Sequence, residues 1–272
     1  MKRSREEGEA QRGPDSSPIR LLSAWYCPFA QRAWIALEEA GVEYELVEAM
    51  TISEDQVNYD KSKELLAANP NGMVPVVMRF DKSGKRVGCV YESGICVEYV
   101  DEALRPEFGK GGRLFPDDGE MRAHCRIWID FVGKKLVPQF YKMLVKTDPA
   151  EREEAKVALR AAMAKFAESM APAEEGPFFL GKEFSAVDIA FVPWAYRMFV
   201  LQHYRQFDWH SGDAPEPAME RFDAWMAAAL SRASVKATLA HKDALIATYK
   251  RYADNVTTSQ VAESVRKGTA IP

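Results

Sequence analysis

The distribution of apolar and polar residues divides the chain into two parts of different character. The run IRLLSAWY at 19–26 is apolar and aromatic, which predicts a buried strand, and PFAQRAWIALEEAG after it has helical spacing. Further strands are predicted for EYELVEA, VPVVM and VGCVYES, and helices for KSKELLAA and SGICVEYVDEAL. Pro75 lacks a backbone N–H, so its strand should lie at a sheet edge or begin near the proline. The alternation of strands and helices predicts a small α/β domain.

Beyond residue 105 the pattern becomes almost entirely helical. The stretch RPEFGKGGRLFPDDGE is rich in Gly, Pro and charge, which is typical of a linker. Helix-start signals follow, with Asp148 and Pro149 before one helix and Ser185 and Asp188 before another. Two more helices are expected at 217–230 and 235–253. The predicted divisions are a disordered tail at 1–17, an α/β domain at 18–105, a linker at 106–118, an all-helical domain at 119–253 and a flexible tail at 254–272.

Composition and charge argue against several classes of function. A net charge of −4 argues against nucleic acid as a partner, and no apolar run approaches the roughly 20 residues that span a bilayer. The N-terminus has no apolar core, so we interpret it as neither a secretory signal nor a transit peptide. Four cysteines and four histidines show no metal-ligand spacing. We therefore expect no metal, reduced thiols and a cytoplasmic location.

Cys27 is the cysteine whose position indicates chemistry. It lies between the first predicted strand and helix, and Pro28 suits the first helical position because an N–H there would be unpaired anyway. A thiol at a helix start faces unpaired N–H groups and the positive end of the helix dipole. That interaction is worth about 0.3–1 kcal/mol, and up to ~2 kcal/mol in favourable geometry. We therefore expect a lowered pKa and a substantial thiolate fraction near neutral pH.

The second cysteine of a dithiol redox site is absent. A Cys-x-x-Cys motif requires cysteine at position 30, where this chain has alanine. The hypothesis is that external glutathione takes its place, so that Cys27 forms a mixed disulfide that a second glutathione resolves. The alternative is that Cys27 is simply a small buried apolar residue, which is the better interpretation of Cys89, Cys96 and Cys125. Whether Cys89 or Cys96 approaches Cys27 stays open.

Five segments together resemble a known family. They are CPFAQRAWIALEEAGVEYE, NPNGMVPVV, YESGICVEYVDE, LFPDD and FSAVDIAFVPW, in this order. The chain resembles the cytosolic glutathione transferases, above all the cysteine-containing omega class, with some likeness to the lambda and tau classes. This resemblance implies a thioredoxin-like N-terminal domain, an all-helical C-terminal domain and a homodimer.

The resemblance also implies site residues. Cys27 would be the catalytic thiol, and the residues expected to bind glutathione are Phe29, Lys61, Val74, Pro75, Glu92 and Ser93. In the family the Val-Pro bond is cis, which exposes the valine backbone to the cysteinyl part of glutathione. Glu92 and Ser93 suit the γ-glutamyl end, because a carboxylate pairs with an ammonium group and a hydroxyl with a carboxylate. For Lys61 the alternative is a solvated helix residue.

A second substrate would bind between the domains. His124, Trp128 and Arg197 are the candidates for that cleft, and an arginine there could steer an anionic substrate. The alternative for Trp128 and for Trp194 is a place in the core.

The resemblance favours glutathione-dependent thiol transfer, including deglutathionylation and reduction of dehydroascorbate. Two other functions stay open: a glutathione-conjugating detoxification transferase, and a non-catalytic transferase-like module for binding or dimerisation. The partners expected are glutathione and small disulfide, glutathionylated or electrophilic substrates.

Overall fold

A computed structural model describes residues 17–212 and 215–271 of the chain. The predicted N-terminal tail at 1–17 lies outside the described residues except for Ser17. Within the described ranges, no helix is long and apolar enough to cross a membrane.

The first part of the chain alternates strands and helices, as its apolar pattern predicts. In chain order they are β1 (Ile19–Ser23), α1 (Pro28–Ala40), β2 (Glu45–Glu48), β3 (Met50–Ile52), β4 (Tyr59–Lys61), α2 (Lys63–Ala68), β5 (Val76–Phe80), β6 (Arg86–Tyr91), α3 (Ser93–Tyr99) and α4 (Arg105–Phe108). The backbone joining α3 to α4, Val100–Leu104, is π-helical. Together these elements form a thioredoxin-like domain.

The main sheet is mixed and has the strand order β2-β1-β5-β6. Strand β1 runs parallel to β2 and antiparallel to β5, and β5 pairs antiparallel with β6. Strand β5 lies inside the sheet and begins directly after Pro75. The proline therefore does not have to donate to the hydrogen-bond ladder, which explains how a Val-Pro sequence precedes a central strand.

Strands β3 and β4 form a separate antiparallel hairpin that the sequence pattern did not predict. The segment is polar, and its turn is held locally because the Asp55 carboxylate accepts the backbone N–H groups of Val57 and Asn58 at 2.8 and 2.9 Å. Lys61 belongs to β4, so the alternative of a helical lysine is wrong. A hairpin of three-residue strands gives too little alternation for a periodicity argument.

The second part of the chain is helical. In chain order the helices are α5 (Gly119–Phe131), α6 (Val137–Val145), α7 (Pro149–Glu168), α8 (Ala186–Tyr196), α9 (Met198–Arg205), α10 (Glu216–Ser231), α11 (Ala233–Lys236), α12 (Lys242–Ala253) and α13 (Gln260–Lys267), with a π-helical turn at Val132–Leu136 and a short 3-10 turn at Ala173–Glu175. Ser185 and Asp188 form the capping box that the sequence indicated at the start of α8. Helix α8 is almost wholly buried, and Trp194 and Trp225 are fully buried in the core around it.

Helix α13 lies in the segment for which the sequence analysis expected a flexible tail. Ser259 caps the helix by accepting the N–H of Ala262 at 3.0 Å, and Val261, Ala262 and Val265 are buried. These three apolar residues form one short stripe in a polar sequence. Their pattern is too brief to indicate a helix, and the stripe is stable only because α6 is there to cover it.

Helix α1 joins the two parts of the chain. The Gln31 side chain donates to the Thr238 hydroxyl at 3.1 Å, and the Arg32 guanidinium donates to the carbonyl of Ala190 at 2.7 and 3.0 Å. At the other end of the helix, Glu39 pairs with Arg232 at 2.6 Å. The helix that begins at Cys27 is thus bonded to the helical domain along its length.

Candidate active site

Cys27 lies where the chain leaves β1 and enters α1. Its N–H donates to the carbonyl of Ala24 at 2.9 Å, and Pro28 begins the helix. Gly41 ends α1 in the left-handed conformation, with φ 60°, which a glycine adopts without strain. The thiol is therefore held at the positive end of a helix of 13 residues, as the sequence indicated.

Cys27 lines a cavity of about 90 Å³ that we call the thiol cavity. Lys61 and Phe29 also line it. Five tyrosines from the α/β domain, α6 and α12 form a further part of the wall: Tyr26, Tyr59, Tyr141, Tyr249 and Tyr252. The nucleophile position thus faces a small space bounded by tyrosine rings.

The tyrosine hydroxyls are neutral hydrogen-bonding groups. Burial raises the pKa of Tyr141, Tyr249 and Tyr252 above that of a free tyrosine. The Tyr59 and Tyr252 hydroxyls are 3.0 Å apart, and the buried Arg251 guanidinium lies 4.2 Å from the centroid of the Tyr59 ring. An aromatic wall with protonated hydroxyls suits a small organic substrate.

The environment of Cys27 changes the expectation of a lowered pKa. Burial raises the pKa of the thiol, while the backbone N–H groups of Phe29 and Ala30 and the Arg197 guanidinium lower it, and the net direction is upward. The sequence argument was wrong on this point because it counted the helix dipole and omitted desolvation of the thiolate. The balance of these effects opposes ionisation of Cys27, whose side chain is partly exposed.

A second cavity, of about 200 Å³, adjoins the thiol cavity, and we call it the Glu92 cavity. Phe29, Met73, Gln260 and Val261 line both cavities. The residues predicted to bind glutathione that line the Glu92 cavity are Phe29, Val74, Pro75, Glu92 and Ser93. The Val74–Pro75 peptide bond is cis. The structure thus brings this set together beside Cys27.

Glu92 and Ser93 present complementary groups to the Glu92 cavity. Glu92 has φ 71°, a left-handed conformation that costs a non-glycine residue about 1–3 kcal/mol and clusters at active sites and ligand-binding positions. The Ser93 hydroxyl accepts a bond from Arg32 Nη1 at 3.2 Å. Burial lowers the pKa of Arg32 to about 10, so Arg32 stays cationic at neutral pH. Carboxylate, hydroxyl and buried cation provide partners for both ends of an amino acid.

The three residues predicted for the second-substrate cleft do not line either cavity. His124 is exposed and packs against Trp128 and Phe179, with ring centroids 6.4 and 6.3 Å away. Trp128 is buried in the aromatic core of the helical domain, which was the alternative for this residue. Both rings pack against Phe179, and Trp128 also packs against Phe166 of α7.

Arg197 is buried behind the site instead of facing a cleft. Its Nη1 donates to Gln31 Oε1 and to the carbonyl of Pro193, both at 2.6 Å, and its Nη2 donates to the carbonyl of Tyr26 at 3.2 Å. The side chain is 1% exposed. Arg197 therefore supports the turn that carries Cys27 and does not contact solvent in the cavities.

Sequence reasoning missed the tyrosines and the C-terminal residues that complete the site. Tyr249 and Tyr252 are three positions apart, which places them on one face of a helix. That spacing was the available signal, but it indicates a buried face equally well. The contribution of Gln260 and Val261 gave no signal, because the sequence around them is polar.

The fold and the site define a class of protein. A cysteine at a helix start, a cis Val-Pro bond before a central strand and a cavity containing Glu92 and Ser93, all on a thioredoxin-like domain joined to a helical domain, are the features of glutathione transferases. Family models agree: residues 26–103 match the glutathione S-transferase N-terminal domain and residues 149–228 match its C-terminal domain.

The chain belongs to the glutathione S-transferase family. Glutathione S-transferase omega-1 of Rattus norvegicus is 31% identical over 204 residues, which cover 74% of this chain and 76% of the relative. Glutathione S-transferase U21 of Arabidopsis thaliana is 30% identical over 236 residues, covering 85% and 94%. The crystal structure of glutathione transferase Omega 3C from Trametes versicolor matches with a TM-score of 0.69 and 30% identity, covering 88% and 92%. Omega-class and tau-class proteins both occur among the relatives.

Proposed function

We propose that this protein is an omega-like, glutathione-dependent thiol transferase in which Cys27 forms a mixed disulfide with glutathione. The observation that carries the proposal is the position of Cys27 at the start of α1, directly beside the cavity that contains Val74, Glu92 and Ser93. The family uses glutathione as co-substrate. A serine or tyrosine at this position would stabilise the thiolate of glutathione, whereas a cysteine can bond to its sulfur.

Each group in the Glu92 cavity has a role in holding glutathione. The Val74 backbone, exposed by the cis bond to Pro75, pairs with the cysteinyl part of the tripeptide. The Glu92 carboxylate accepts hydrogen bonds from the γ-glutamyl ammonium group, and Ser93 donates to the γ-glutamyl carboxylate while Arg32 supplies positive charge behind it. Lys61 lines the thiol cavity, from which it contacts the other end of glutathione.

The reaction consists of two thiol–disulfide exchanges. The Cys27 thiolate attacks the glutathionyl sulfur of a mixed disulfide, the new bond joins Cys27 to glutathione, and the other thiol leaves as a thiolate that takes a proton. A second glutathione thiolate then attacks that sulfur, releasing glutathione disulfide and the Cys27 thiolate. Reduction of dehydroascorbate passes through the same mixed disulfide. The Cys27 thiolate adds to a carbonyl carbon of dehydroascorbate, a glutathione thiolate attacks the Cys27 sulfur and releases ascorbate as the C–S bond breaks, and a second glutathione resolves the mixed disulfide as before. Deprotonation of Cys27 must precede the first attack, because burial raises its pKa.

The test is the glutathione-dependent reduction of a small mixed disulfide by the intact protein and by Cys27→Ala. The matched control is Cys89→Ala, since Cys89 is partly buried and lines neither cavity. We expect turnover by the intact protein and by the control, and none above background by Cys27→Ala. Equal rates for all three proteins would exclude Cys27 as the nucleophile.

Conjugation of glutathione to electrophiles is the second candidate function. Two observations favour it: tau-class proteins are among the relatives, and burial raises the pKa of Cys27, which lies beside tyrosines whose own pKa burial raises. Such hydroxyls could stabilise the glutathione thiolate. Conjugation that survives in Cys27→Ala would identify this activity. Binding of glutathione with turnover of neither substrate would identify a non-catalytic module.

We further propose a homodimer located in the cytoplasm, with the division between the domains at 106–118. Dimers are typical of the family. Tyr91, Ile95 and Ile127 are large apolar residues that are exposed on β6, α3 and α5. Sedimentation should give the mass of two chains.

A further inference from the structure

The C-terminal segment, residues 257–271, covers the site. Gln260 and Val261 line both cavities, Thr258 lines the thiol cavity, and Ile271 lines the Glu92 cavity. Because helix α13 lies within this segment, an ordered element borders both cavities beside Cys27, which is partly exposed. We call residues 257–271 the cover.

The cover is attached at its start by a small number of polar contacts. Thr258 Oγ1 donates to Asn58 Oδ1 at 2.8 Å, which joins the cover to the β3–β4 turn. Arg266 reaches back from α13, where it donates to Asn255 Oδ1 at 2.7 Å and to the carbonyls of Asn255 and Thr257 at 3.2 and 2.6 Å. These contacts hold the two ends of the turn that leads from α12 into the cover.

The rest of the cover is held mainly by a narrow apolar stripe on α13. Val261, Ala262 and Val265 are the residues of α13 that are buried, and they pack toward α6. The outer face of the helix is charged, with Lys267 and Glu263 paired at 3.5 Å. A single stripe of small apolar residues holds α13, whereas nearly every residue of α8 is buried, so α13 should open more readily than α8.

The space beneath the cover is small. The thiol cavity and the Glu92 cavity, at about 90 and 200 Å³, together reach only the lower end of the roughly 300–1,000 Å³ typical of small-molecule sites. Glutathione that binds in the Glu92 cavity and reaches Lys61 fills part of the thiol cavity, so the leaving thiol must lie in the space that remains beneath Thr258 and Val261. A cysteine in a folded protein would have to bring its own backbone to that place, through the cover.

We propose that the cover restricts Cys27 to small disulfides and excludes glutathionylated cysteines of folded proteins until it is displaced. This inference rests on the proposed thiol-transferase function. The chemistry is the same for both substrate types: the bond between the glutathionyl sulfur and the leaving sulfur breaks as the bond to Cys27 forms, and the leaving thiolate takes a proton. The substrates differ in size alone. The cover therefore acts as a filter on the leaving group.

The first experiment measures access to Cys27 without turnover. The intact protein is alkylated with iodoacetamide or with a maleimide carrying a long polyethylene glycol chain, and adducts are assigned to individual cysteines by mass spectrometry. Each rate is compared with that of the same reagent on a small thiol. Cys89, which is partly buried and outside both cavities, is the internal reference.

We define discrimination as the ratio of the relative rate with iodoacetamide to the relative rate with the bulky maleimide. If the open form is a minor state of about 0.1–10%, discrimination should be about tenfold or more greater at Cys27 than at Cys89. Arg266→Ala, which removes three bonds of the cover, should reduce that discrimination. Lys267→Ala, which removes an exposed ion pair on the same helix, should leave it unchanged. Truncation after residue 254 should abolish it. Equal discrimination at Cys27 and Cys89 in the intact protein overturns the proposal.

The second experiment measures substrate choice. The mixed disulfide of cysteine and glutathione is compared with glutathionylated serum albumin, for the intact protein, Arg266→Ala and Lys267→Ala. We expect Arg266→Ala to raise the rate on albumin relative to the small disulfide, and Lys267→Ala to behave as the intact protein. Equal use of both substrates by the intact protein overturns the inference. Absence of turnover on either, together with size-dependent alkylation, instead shows that the proposed function is wrong and that the cover exists.

Discussion

Replacement of Arg197 should raise the pKa of Cys27. Arg197 Nη2 bonds to the carbonyl of Tyr26, the residue before Cys27, so its buried charge lies close behind the thiol. At an effective dielectric constant of about 20, opposite charges several ångströms apart attract each other by on the order of 1–4 kcal/mol. Loss of that attraction removes one of the contributions that lower the pKa of Cys27, so the pKa rises. Arg197→Met removes the charge at similar length, and Arg197→Lys retains it.

The assay is the rate of Cys27 alkylation by iodoacetamide as a function of pH. The midpoint for Arg197→Met should lie at higher pH than that of the intact protein, and the midpoint for Arg197→Lys should stay near it. Both variants lose the forked bonds to Gln31 and Pro193, so a lower melting temperature in both is expected and does not distinguish them. If the two variants have the same midpoint, the charge of Arg197 does not act on Cys27, and its role is structural alone.

Three other predictions concern binding, stability and pH. Glu92→Gln should raise the KM for glutathione by about ten- to a hundredfold, which corresponds to the loss of one charge-assisted hydrogen bond. Glu98→Gln, on the helix that Glu92 precedes, should leave the KM unchanged. Asp188→Ala should lower the free energy of unfolding in urea by about 3–5 kcal/mol, because it leaves the N–H groups of Phe179 and Trp225 buried without an acceptor. Because the folded-state pKa of Cys27 is raised, its contribution to stability is present below the unfolded value of about 8.5 and is lost as the pH rises through the folded value. The decline of stability in alkaline solution should therefore be shallower in Cys27→Ala, and equal slopes would contradict the pKa assignment.

Local signals in the sequence predicted the parts of the structure that local physics determines. Pro28 and Gly41 mark the two ends of α1, and the capping box of Ser185 and Asp188 marks the start of α8, because each depends on backbone groups a few residues away. Pro75 likewise marks the start of β5. Each of these helix and strand ends is determined by residues only a few positions away in the sequence.

The features that the sequence did not predict depend on contacts between distant segments. The thiol cavity takes tyrosines from both domains, and no short window contains more than two of them. Arginine is usually exposed, yet Arg197 is buried. Tyr26 and Gln31, which belong to the other domain, accept its hydrogen bonds. The direction of the Cys27 pKa was missed for the same reason, since desolvation is produced by segments that arrive from elsewhere in the chain.

The bonds along α1 determine how variation in the helical domain reaches the nucleophile. Gln31 and Arg32, in the second turn of the helix that Cys27 begins, are bonded to Thr238 and Ala190, and Glu39 is bonded to Arg232. A rotation of the helical domain would therefore shift α1 and, with it, the position of the Cys27 thiol. The helices bonded to α1 and the reactive sulfur move together, even though they belong to different domains. Exchange of the helical domain for that of a relative should accordingly alter the reactivity of Cys27 itself as well as the choice of substrate.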